Sequence, residues 1–153
     1  MLDAHVEKQP ARWKEITGST QDNEDYLSIL KNAEGETFDA GAHEPLPAGC
    51  GLILRRGVRP VGYALFDVDE WGIKKVLNVE YIHILEKERD PIILAELVQL
   101  LRRTARTKSA THIHWTAGSQ EMKKISQKVP TQSEDMFLIP VEKFNLDLFV
   151  GRI

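Results

Sequence analysis

A single cysteine, Cys50, stands in the whole chain. An intrachain disulfide and a cysteine-based zinc cluster are thereby excluded, and the scarcity fits a reducing compartment. Neither sign of charge is in large excess: 20 basic against 23 acidic side chains leave a formal charge of −3. That balance sets up no field to draw the molecule to nucleic acid or an anionic membrane surface. Long apolar runs are missing too, so no segment reaches the roughly 20 residues of a membrane-spanning helix. The opening stretch MLDAHVEKQPARWKEI lacks the basic start and apolar run of a signal peptide. These absences point to a soluble, cytoplasmic protein that does not act on nucleic acid or in a membrane.

What is present suits one globular domain. At 153 residues, 42% of them hydrophobic, the chain is long enough to bury a core. Residues 1 to 48 read as a polar N-terminal segment, packed on or leading into a domain over residues 49 to 153. Within the segment the spacing predicts a short helix over Asp25 to Asn32, with Tyr26, Ile29 and Leu30 on one face and Gly35 beyond its end. From Gly51 onward the punctuation is clear. GLILRRG and RPVGYALFDVD are β-rich runs split by Gly57-Val58-Arg59-Pro60, the pattern of a hairpin. After Glu70-Trp71-Gly72 a long strand, IKKVLNVEYIHIL, carries apolar residues on both faces: Leu77, Val79, Tyr81 and Leu85 on one, Val76, Ile82 and Ile84 on the other. Such a strand is covered on both sides.

The junction LEKERDPIILAELVQLLRR contains no glycine. Asp90 is a good N-cap, and Pro91 suits the first helical position, where an N–H would have no partner. Ile93, Leu94, Leu97, Leu100, Leu101 and Ala105 recur at helical spacing, which buries Leu97 and Leu101 and leaves Arg103 and Arg106 outside. The strand THIHWTA follows and lies parallel to the earlier long strand, as a helical crossover requires. A second helix over SQEMKKISQKV, ended near Pro130, and a closing hairpin of DMFLIPV and NLDLFVG complete the order. The expected class is α/β (α+β), a mixed and mainly antiparallel sheet with helices on both faces.

That order of elements resembles the GNAT acyltransferase family over roughly residues 50 to 151. The resemblance implies an N-acyltransferase using acetyl-CoA or another acyl-CoA. The family has a Gln/Arg-x-x-Gly-x-Gly/Ala pyrophosphate loop where this chain has Glu88-Arg89-Asp90-Pro91-Ile92-Ile93. Arg89 matches the basic residue and the glycines are replaced. The family's Asn-x-x-Ala-x-x-Phe-Tyr pattern falls on Ser119, Met122, Ile125 and Ser126, which puts Ser126 at the place of the tyrosine acid. Arg89, Ile82 and Ser119 are thus the implied cofactor contacts. Without glycine a backbone cradle for phosphate is harder to build, and Glu86, Glu88 and Asp90 oppose an anion. Weak or absent acyl-CoA binding is expected.

Individual residues carry the remaining chemistry. Glu80 lies mid-strand where many GNAT enzymes place a general base, and burial would raise its pKa usefully; the alternative is a carboxylate paired with a neighbouring cation. Asn78 shares its face as a substrate-orienting candidate. His112 and His114 share one face of the following strand and are candidate substrate contacts. With His83 they would make three imidazoles, but no accompanying ligand spacing supports a metal. Asp67-Val68-Asp69-Glu70 reads as a solvated turn, and Trp13 and Trp71 as packing residues or partner anchors. Two functions therefore stand: a divergent N-acyltransferase with Glu80 as base, or a non-catalytic GNAT-like module acting through protein contacts, as a homo-oligomer or as a subunit of an assembly.

Overall fold

The computed structural model describes residues 9–115 and 138–144. Among them run six strands: β1 (Ala11–Glu15), β2 (Gly51–Arg56), β3 (Arg59–Trp71), β4 (Lys74–Ile84), β5 (His112–Trp115) and β6 (Leu138–Pro140). Two helices, α1 (Thr20–Glu34) and α2 (Pro91–Thr107), accompany them. The strands form one mixed sheet in chain order, β1 to β6. Contacts divide the chain into two compact units, residues 1–65 with 83–93, and residues 66–82 with 94–153.

In the first unit β1 runs antiparallel to β2, with Trp13 opposite Leu54. Gly57 at φ +61° turns β2 into the antiparallel β3. Gly51 admits no side chain, because a Cβ there would collide with the carbonyl oxygen of Ala64 on β3. Helix α1 begins at Ser19, whose Oγ accepts the N–H of Asp22, and ends at Gly35, whose φ of +60° suits glycine. Its apolar face packs Tyr26, Ile29 and Leu30 onto Ile16, Ile53 and Tyr63. The Tyr26 and Tyr63 rings meet edge-on at 5.0 Å. Beside that cluster Arg55 donates to Asp22 at 2.7 Å and to Asp25 at 2.8 Å. Burial alone would raise the Asp22 pKa, but the Thr17 N–H and Arg55 outweigh it and hold the carboxyl below its usual range.

The helix is longer at both ends than the Asp25–Asn32 expected from sequence, and β1 is a strand that the sequence reading passed over. Both depend on tertiary partners. The first turn of α1 is polar and gains Arg55 as a partner, while β1 buries Trp13, whose Nε1 donates to the carbonyl of Ile93 at 3.1 Å. Trp13 is therefore a packing residue.

In the second unit β4 and β5 pair in parallel, Val76 opposite His112 and Asn78 opposite His114. Strand β6 pairs antiparallel with β5, Ile113 opposite Ile139. Leu97, Leu101 and Ala105 of α2 are fully buried, and Arg103 and Arg106 are exposed, as the helical spacing predicts. Arg102 and Arg106 both reach the Glu142 carboxylate, at 3.3 and 2.9 Å. One expectation for β4 fails. Leu77 and Val79 are buried, but Tyr81, placed with them on a covered face, is 54% exposed. Of the expected closing hairpin, DMFLIPV contributes β6. The run NLDLFVG beyond Phe144, the helix over SQEMKKISQKV, Ser119 and Ser126 lie outside the described residues.

Candidate functional site

Alternation along a strand puts residues two apart on the same face. On β3 this groups Asp67 with Asp69, and on β4 it groups Asn78 with Glu80. Asn78 joins the set together: its Nδ2 donates to Asp69 Oδ2 at 3.3 Å, and its Oδ1 lies 2.9 Å from His114 Nδ1. Because the Asp69 carboxylate fixes the amide orientation, Nδ1 of His114 is the donor and the neutral ring keeps Nε2 as an acceptor. The indole of Trp71 meets the His114 ring at 4.8 Å and 63°. Glu80 is half-buried, and its pKa is raised by burial first and then by the fields of Asp67 and Asp69.

The sequence put Glu80 and Asn78 on one face and named His114 as a separate candidate, and it discounted Asp67 and Asp69. Asp67 and Asp69 belong to strand β3 and not to a turn, although Asp67 is solvent-exposed as expected and Asp69 is half-buried. Their i, i+2 spacing, repeated by Asn78 and Glu80, was the available signal. His112 shares the face of His114 by alternation, but its Nδ1 lies 2.9 Å from Thr111 Oγ1, and burial, then Lys74, lowers its pKa. His83 is engaged elsewhere: its Nε2 is 3.0 Å from Asn32 Oδ1 of α1, and its ring lies against Tyr63. Among the described residues no three His, Cys, Asp or Glu side chains converge as metal ligands.

The glycine-free junction lies in the first unit. Asp90 Oδ1 accepts the backbone N–H of Ile92 at 2.8 Å and of Ile93 at 3.0 Å, capping α2. Glu88, expected with Glu86 and Asp90 to oppose an anion, is taken up by internal ion pairs. It is 5% exposed, with Oε2 accepting from Arg56 Nε and Nη2 at 3.0 and 2.7 Å and Oε1 from Arg59 Nη2 at 3.2 Å. Arg89 donates from Nε to the Ile84 carbonyl at 2.8 Å. It also lines an open cleft of ≈ 500 Å³ with Asn32, Leu85, Glu86 and Lys87. The Ile82 side chain is buried, so any ligand contact there is limited to its backbone.

No protein-family model matches this chain, and no curated protein does either. Solved structures do. The aminoglycoside N-acetyltransferase AAC(6')-Iy, solved with CoA, is 19% identical; the match covers 78% of this chain and 84% of that one, at a TM-score of 0.60. A ribosomal-protein-alanine N-acetyltransferase from Brucella melitensis biovar Abortus 2308 is 13% identical over 82% of this chain and 94% of its own, at 0.62. An integron cassette protein of V. cholerae is 13% identical over 80% and 86%, at 0.63. Identities this low carry the fold and not the reaction. The strand order, the parallel β4–β5 pair across α2 and these likenesses together identify the fold of this chain as that of the GNAT acetyltransferases.

Proposed function

We propose that this chain is a divergent N-acyltransferase that acts on a cationic amine, with Glu80 as general base. The observation that supports it is the group of Glu80, Asp67 and Asp69. Carboxylates on two adjacent strands attract an ammonium, and the raised pKa of Glu80 makes its carboxylate a better proton acceptor. One proton transfer is assigned to this chain. The ammonium gives its proton to the Glu80 carboxylate, the electron pair stays on nitrogen, and the neutral amine becomes a nucleophile. Asn78, tied to Asp69 and His114, is a positioning residue for that pair.

The donor side fits less well. A pyrophosphate at the start of α2 needs backbone N–H groups, yet those of Ile92 and Ile93 serve Asp90, and Pro91 has none. The residues there do not fit a CoA pyrophosphate, so acyl-CoA binds weakly or not at all through this junction. That misfit favours a second reading: a non-catalytic GNAT-fold module working through a protein partner, as a homo-oligomer or as a subunit of an assembly. Release of free thiol from millimolar acetyl-CoA across a panel of amines separates the two. Amine-dependent turnover that falls about 10²–10⁴-fold in Glu80→Gln supports the enzyme. Its rate should rise with pH until Glu80 is fully ionised. Absence of turnover with every amine leaves the module.

A further inference from the structure

Of the three carboxylates in the junction between β4 and α2, Asp90 and Glu88 differ in exposure and in partners. Asp90 is exposed and spans the first two N–H groups that the helix offers, those of Ile92 and Ile93. These donors, with the positive end of the helix dipole, are what a helix start offers an anion. Glu88 is buried, and both of its oxygens take guanidinium donors from Arg56 and Arg59. Arg56 also donates from Nη1 to the carbonyl of Gln9 at 2.6 Å, which ties the same cluster to the start of β1.

We infer that the chain fills its own anion site: the Asp90 carboxylate stands where a bound phosphate would sit, and Glu88 engages Arg56 and Arg59 in internal ion pairs. The junction is a self-liganded joint between strand and helix. Glu88 and Asp90 are not equivalent within it. Removing Glu88 leaves two arginines in a poorly solvated cluster, which costs stability. Removing Asp90 exposes helix donors to water and to any anion, at the modest cost of a lost cap. Asp90 is thus the displaceable part and Glu88 the structural part. This inference is independent of Glu80 and holds whether or not the chain transfers an acyl group.

The test uses inorganic pyrophosphate with the full chain, read by calorimetry and by the amide resonances of Ile92 and Ile93. In the unmutated protein neither resonance should move at millimolar pyrophosphate. In Asp90→Gly both should shift on titration, with affinity about tenfold tighter or more once the competing carboxylate is gone. A dispersed amide spectrum establishes that the variant is folded. Binding by the unmutated protein that shifts the Ile92 and Ile93 amides overturns the inference. So does a folded Asp90→Gly protein that binds pyrophosphate no better than the parent.

Discussion

Glu80, the proposed general base, also bears on the stability of the fold. Its pKa is raised above the ordinary glutamate range by burial and by Asp67 and Asp69. The folded protein therefore holds the Glu80 proton more tightly than the unfolded chain does. Stability then falls as pH rises from the ordinary glutamate range through the folded pKa, and the deficit persists at neutrality. Glu80→Gln should raise the melting temperature at pH 7 and leave it nearly unchanged at pH 4, where the parent is also protonated. Equal effects at both pH values would mean that the substitution acts through packing. Glu80 was legible because its place in a strand is set by alternation alone. Its acidic neighbours were not, since runs such as Asp67-Val68-Asp69 look alike in a turn and on an exposed strand face. Asp90 and Pro91 were legible for the opposite reason: a cap uses only donors within three residues of itself.

At the scale of elements, legibility follows how much of an element's stability is local. Helix α2 has a strong apolar stripe, a side-chain cap and a proline at its first position, and the structure places it where the pattern does. Leu97 is fully buried, so Leu97→Ala removes buried methyl groups and leaves a cavity that neighbours fill only in part. The loss should be about 2–5 kcal/mol in a denaturant titration. A change below about 0.5 kcal/mol, the scale of an ordinary surface substitution, would mean that this face does not support the core. Helix α1 was half legible. Tyr26, Ile29 and Leu30 mark its buried face, but the turn from Thr20 to Glu24 has no apolar residue and is held by Ser19 and by Arg55 of β2. Strand β1 was not legible. It is five residues long, with Trp13 as its one buried side chain, and its place depends on β2 and on the Ile93 carbonyl.

For the whole molecule, composition excluded much and assigned little, while the order of elements carried the fold. Among the described residues every strand lies beside its neighbour in sequence, and α2 supplies the crossover for the parallel pair. That arrangement was readable because each step, hairpin or crossover, follows from a short stretch of chain. The reaction was not readable, because it depends on which side chains of separate strands meet. The chain-ordered sheet also bears on how the molecule is made. Pairing β2 with β3, and β3 with β4, closes turns of two residues, Gly57-Val58 and Gly72-Ile73, whereas β4 meets β5 only after α2 has been spanned. Closing the longer loop costs more chain entropy before any contact rewards it. We expect the central meander to form the folding nucleus and the parallel pair to dock later. In a chevron analysis Leu54→Ala should mainly slow folding, with a φ-value of about 0.5 or more, and Ile113→Ala should mainly hasten unfolding, with one below about 0.3. The reverse assignment would place the nucleus at the crossover. On the expected order, a nascent chain has its central meander in hand before β5 leaves the ribosome.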